Sequence, residues 1–218
     1  MIISHRLKYV YVHLPKTGGT SIKNVLLEND IFSFDERGSP NRSTSISEKY
    51  PCDKMCKLFY HASIKEVNDY LIESDKNPDE YFKFAFIRNP WDMIVSNFEY
   101  YKQVMSKLPY IDEVESRKIT AAQKCFKDFV NLIPLDWTND RIFINGIVGV
   151  DYLAKFENIQ QESQFIFKTI LGTNYKPVPV PHMNATIRKP YQEYYDNELK
   201  QLVQNKFEAI IQLGEYVF

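Results

Sequence analysis

The residues with the clearest chemical potential in this 218-residue chain are few and unevenly placed. Only seven glycines occur, and two of them stand together in Lys16-Thr17-Gly18-Gly19-Thr20-Ser21. Successive backbone N–H groups that follow a strand and are closed by a helix N-terminus cradle an anionic phosphate, and glycine lets the backbone come close to it. The pattern is not the ATP-binding P-loop, in which Gly, four residues and a second Gly precede Lys and Ser or Thr. Here Thr20 and Ser21 follow the second glycine and the lysine lies three positions before it, so the cation would reach an anion from the other end of the loop. A plain tight turn is the alternative reading of Thr-Gly-Gly-Thr, and the strand and helix on either side favour the anion site.

A second group is Phe86-Ile87-Arg88-Asn89-Pro90-Trp91. An arginine at the carboxyl end of a parallel strand lies on the edge where ligands bind in open α/β sheets, and its planar fork suits a phosphate. In the following helix Trp91, Ile94, Val95 and Phe98 form one apolar stripe, while Ser96 falls roughly 140° from Trp91 at about 100° per residue. Ser96 is therefore expected off the core face, where its hydroxyl can join the ligand that Arg88 holds. The bland alternatives are a surface ion pair for Arg88 and a solvated hydroxyl for Ser96.

Of four histidines, His5 is near the terminus, His13 closes the first strand, His182 follows prolines, and His61 ends a presumed strand next to a helix opening. An imidazole is the side chain best matched to accepting a hydroxyl proton near neutrality, and His61 has the best place for it. Glu66 and Asp92 are weaker choices, better explained by capping and by an exposed helix face. Cys52, Cys56 and Cys125 offer neither an even disulfide set nor a second Cys/His pair for zinc.

The elements that must position these groups are legible in outline. KYVYVH at 8–13 reads as a strand passing through the loop into a helix carrying Ile22, Val25 and Leu26. Residues 57–60 read as a short strand, and Ser63 with Glu66 has capping-box spacing for a helix through about Leu71. Tyr81 to Ile87 reads as a buried strand, followed by Asn89 as N-cap and Pro90 at the first helical position. Three strand-to-helix passages predict an α/β fold with a central parallel sheet flanked by helices. Residues 119–133 suit an amphipathic helix, 151–156 a strand, 158–171 a helix ended by Gly172, 177–181 an extended connector and 196–211 a last helix. Residues 35–56 read as a polar loop or insertion.

Composition bounds the rest. Hydrophobic residues at 44% and charged residues at 25% exclude disorder, collagen and coiled coil, and the length suits a single domain over 1–218. A net charge of -1 gives no overall attraction to nucleic acid, so no nucleic-acid partner is expected and any anion site must be local. With no stretch apolar enough for a signal peptide or a membrane span, a cytoplasmic, bacterial-type setting without an integral membrane segment is expected. Nothing in the pattern selects an oligomeric state.

YVHLPKTGGTS followed some seventy residues later by FIRNPWDMIVSNF resembles the sulfotransferases that depend on 3′-phosphoadenosine 5′-phosphosulfate (PAPS). Phe156-Glu157-Asn158, His182-Met183-Asn184, Tyr191 to Asp196 and the end Gly214 to Phe218 are most similar to the carbohydrate, uronosyl and glycosaminoglycan-type, branch. The resemblance covers about 8–28, 57–66, 82–101 and 151–218, and leaves 30–56 and 104–150 unaligned. It implies a P-loop-like core in which Lys16, Thr17, Gly18, Gly19, Thr20 and Ser21 hold the 5′-phosphate and sulfate. Arg88, Ser96 and Arg188, with Thr186 as a further contact, would hold the 3′-phosphate. It also implies that His61 is the catalytic histidine.

Sulfuryl transfer is akin to phosphoryl transfer, an in-line displacement in which charge builds on the leaving oxygen. The sulfuryl group carries less charge, so Lys16 can stabilise that oxygen as 3′,5′-ADP (PAP) leaves, and no metal is expected. The expected function is transfer of sulfate from PAPS to a hydroxyl acceptor, a carbohydrate above all. The rivals are a nucleotide kinase and a non-catalytic module that binds PAP or glycan.

Overall fold

The computed structural model describes residues 1–28, 36–39, 54–59, 61–107, 113–134, 138–181, 183 and 186–218. Strands β1 (Ile2–Ser4) and β2 (Tyr9–Val12) lead into helix α1 (Gly19–Glu28), followed by β3 (Glu36–Ser39), β4 (Lys54–Phe59) and α2 (Ile64–Glu73). Next come β5 (Phe82–Ile87), α3 (Pro90–Gln103), α4 (Glu113–Lys124), α5 (Phe126–Leu132) and α6 (Asn139–Ile142). A small hairpin, β6 (Phe143–Ile144) and β7 (Ile147–Val148), precedes β8 (Tyr152–Lys155), α7 (Ile159–Leu171), α8 (Asn197–Lys206) and α9 (Glu208–Gly214).

The chain divides into two compact units, Met1–Ile87 with Thr138–Met183, and Arg88–Trp137 with Asn184–Phe218. The first contains one six-stranded sheet in the order β4-β3-β1-β2-β5-β8. β2 with β5 and β5 with β8 run parallel, as expected of the central sheet, and β3 runs parallel to β4, although β3 lies inside the stretch 35–56 read as a polar loop or insertion. The exception is β1, antiparallel to both of its neighbours. At three residues it is too short to show a period, and a tight turn returns the chain into β2. All four residues of β2 are buried, as befits a strand covered on both faces. Tyr9, Tyr11, Phe84 and Phe86 pack there with Ile22 and Leu26 of α1 and with Ile166 and Phe167 of α7.

The capping box is formed at α2: the Glu66 N–H donates to Ser63 Oγ at 3.2 Å, and the Ser63 N–H donates to Glu66 Oε2 at 2.7 Å. Two backbone donors are satisfied reciprocally, which fixes where the helix begins, three residues beyond His61.

The second unit is helical. Asn89 Oδ1 accepts from the Trp91 N–H at 3.1 Å and Pro90 occupies the first helical position, so only the N-cap residue separates Arg88 from α3. Trp91, Ile94 and Phe98 of α3 pack with Phe126 and Phe129 of α5 and with Leu199 and Val203 of α8. The helix expected over 119–133 is two, α4 and α5. Their break lies at Cys125, which adopts an extended conformation and whose sulfur accepts from the Asp128 N–H. The helix expected over 196–211 likewise breaks at Phe207, whose ring is fully buried. Buried Lys206 donates from Nζ to the carbonyls of Val130 (3.0 Å) and Ile133 (2.6 Å), capping the end of α5.

Candidate functional site

The loop after β2 has a backbone arrangement that can cradle an anion. Lys16 and Gly18 have left-handed φ values of 63° and 77°, and neither Thr17 nor Gly19 has a positive φ. Alternation of hand along consecutive residues turns successive N–H groups toward one concavity. α1 opens at Gly19 with no acidic residue in its first turn, so its dipole adds positive potential at the same place. The Thr17 hydroxyl donates to the Leu14 carbonyl at 2.8 Å and closes the loop, leaving the backbone N–H as what Thr17 offers a ligand. Ser21 Oγ accepts from the Met183 N–H at 3.2 Å, an arrangement that directs its own O–H elsewhere.

The two glycines are required by packing as well as by conformation. A Cβ on Gly19 would stand 1.7 Å from His13 Nε2, and one on Gly18 would stand 2.8 Å from Ile159 Cδ1 and 2.9 Å from Phe156 Cε2. Side chains of the fold therefore already occupy the space that these residues give up.

His13, which closes the first strand, is the link between the loop and His61. Its ring lies against Gly19 and 4.5 Å from the His61 ring, centroid to centroid. His61 Nδ1 is 2.7 Å from the His13 carbonyl oxygen, which can only accept, so Nδ1 carries the hydrogen and Nε2 the lone pair. Arg141 Nη1 donates to the His61 carbonyl at 2.6 Å and holds its backbone. Burial pushes the His61 pKa down to about 3, opposed by the hydrogen bond to His13 and assisted by the charges of the amino terminus and Arg141. Burial drives His13 well below its ordinary value too, with the neighbouring His61 next in importance. The His61 ring is thus neutral near pH 7, with its titration moved well below 6.5.

The remaining assigned residues belong to the helical unit. Arg88 and Ser96 are each 8% exposed, and they are buried rather than on an open face. Asp92 lies between them on the same side of α3. It accepts from Arg88 Nε at 2.9 Å and Nη2 at 2.5 Å through Oδ2, and from Arg188 Nη1 at 2.6 Å through Oδ1. The exposed role expected of Asp92 is therefore replaced by one inside an arginine pair. Burial raises its pKa, but the Arg188 hydrogen bond and the charges of both arginines outweigh that and hold the carboxyl below its ordinary value. Thr186 is half-buried on the same segment as Arg188. His5 hydrogen-bonds through Nδ1 to the Tyr81 hydroxyl at 2.7 Å, and His182 lies outside the described residues.

Among the described residues no group of His, Cys, Asp and Glu side chains is arranged to hold a metal ion, and no helix is long and apolar enough to cross a membrane. No curated protein matches the chain. Residues 1–209, which carry the loop, His61 and both arginines, match the profile of the Sulfotransferase family. The sequence motifs, the sheet and this match agree: the chain belongs to the sulfotransferase family.

Proposed function

We propose that the chain is a single PAPS-dependent catalytic domain that transfers a sulfuryl group to a hydroxyl of a carbohydrate. The observation that carries this reading is the loop, whose alternating backbone hand and helix start suit the 5′-phosphosulfate. When bound, PAPS supplies the activated sulfuryl group and the PAP leaving group. Lys16 and the N–H groups of residues 17–21 hold the 5′ end, and Lys16 neutralises charge on the departing oxygen. Arg88, Ser96, Arg188 and Thr186 hold the 3′-phosphate, which distinguishes this nucleotide from ATP. His61 accepts the acceptor's proton at Nε2, with Nδ1 held by the His13 carbonyl.

Incubation with radiolabelled PAPS and a panel of glycans and small alcohols tests the reading, with label expected on a glycan. PAP should raise the melting temperature in the presence of EDTA, by mass action, and ATP with magnesium should do much less. Stabilisation by ATP and magnesium alone would favour a kinase. Stabilisation by PAP with no acceptor ever labelled would favour a non-catalytic nucleotide-binding module.

A further inference from the structure

We infer that Asp92 is the positioning residue of the 3′-phosphate site: its carboxylate assembles the Arg88 and Arg188 guanidiniums into one preformed cationic cluster before the nucleotide arrives. The inference rests on the assignment of those arginines proposed above. Both guanidiniums meet on one carboxylate, Arg88 on Oδ2 and Arg188 on Oδ1, so Asp92 fixes both forks. Arg188 lies 96 positions beyond Asp92 on an irregular segment, and a long side chain there is costly to order at the moment of binding. Asp92 meets that cost in advance. The side chains of Asp92 and Arg188 are 19% and 20% exposed and that of Arg88 is 9% exposed, so water screens the cluster only in part.

The segment bearing Arg188 is held to α3 independently of Asp92. Gln103 Nε2 donates to the Ile187 carbonyl at 2.8 Å, the Tyr194 hydroxyl donates to Glu99 Oε1 at 2.9 Å, and the Tyr195 hydroxyl donates to the Trp91 carbonyl at 2.9 Å. Removing the Asp92 charge should therefore leave the segment docked and disturb only the arginines.

The test compares PAP with AMP, which lacks the 3′-phosphate, by titration calorimetry, AMP being measured by displacement. Wild type should prefer PAP. Asp92→Asn should weaken PAP about tenfold, the lower end for losing a partner that orients a binding group, and leave AMP unchanged. Asp92→Glu should restore PAP binding to within about threefold. Unchanged or tighter PAP binding in Asp92→Asn would overturn the inference, since the added positive charge would then outweigh lost placement. So would an equal loss for PAP and AMP, which is the mark of a general structural defect. A wild type that binds PAP no better than AMP would overturn the 3′-phosphate assignment itself, and the inference with it.

Discussion

At the scale of single residues, holding a ligand and performing chemistry are separable. Lys16 is assigned to charge that develops as the sulfuryl group departs, so Lys16→Ala should lower kcat by roughly a hundredfold or more while PAP affinity changes less. Equal losses in both would assign Lys16 to uniform binding. Arg88→Ala should instead weaken PAP by about 2 to 4 kcal/mol, because it leaves a desolvated phosphate unpaired. His61→Ala should keep PAP-induced stabilisation and cut transfer by about 10² to 10⁴. The His61 pKa of about 3 changes the pH expectation. Nε2 is already unprotonated at pH 6.5, so kcat/KM for PAPS should show no acidic limb at 6.5 and stay flat to about pH 5. An anionic sulfuryl group beside the ring favours imidazolium, so any limb should stand higher in kcat than in kcat/KM. A kcat/KM limb centred at 6.5 would mean that the ring is solvated in the free enzyme.

At the scale of elements, the helix starts that carry the site have separable costs. Ser63→Ala removes half of the capping box and should cost about 1 kcal/mol, read as a lowered urea midpoint. Gly19→Ala should cost more, about 1 to 3 kcal/mol, because its Cβ meets the buried His13 ring. That displacement should also reduce the melting-temperature gain from PAP, whereas Ser63→Ala should leave the gain intact. These starts were legible in the sequence because capping chemistry is local: Ser63 and Glu66, or Asn89 and Pro90, announce themselves within four residues. β2 and β5 were legible as runs of β-branched and aromatic residues. The break at Cys125 was not, since Ala122, Phe126, Phe129 and Val130 continue one apolar period across it and only tertiary packing reveals the kink. The Arg88–Asp92 spacing is a readable i,i+4 pair. Its second arginine is 96 residues away, and no periodicity reports that. The position of His61 was readable from its strand end, but its pKa was not, because burial belongs to the folded molecule.

At the scale of the whole molecule, two histidines buried neutral make stability depend on pH. Their folded pKa values lie below the unfolded value of about 6.5, so the unfolded chain binds more protons between pH 6.5 and the folded values. Stability should be level above pH 6.5 and fall below it by up to about 1.4 kcal/mol per pH unit for each histidine. Urea unfolding at pH 5, 6 and 7.5 checks this, and His61→Asn should lessen the slope; an unaltered slope would mean that His61 is not the source. The sheet has another consequence, for the order in which the chain is made. β5, the run Phe-Lys-Phe-Ala-Phe-Ile, pairs on one side with β2 and on the other with β8, about seventy residues away in each direction. During synthesis β2 is waiting when β5 emerges, while the opposite edge stays open until residues 152–155 follow. An apolar six-residue edge with one charge is a template for pairing with other chains. A fragment ending at Asp151 should therefore collect in the insoluble fraction while the full chain does not, and Ala85→Lys within that fragment should return it to solution by placing a charge on the open strand.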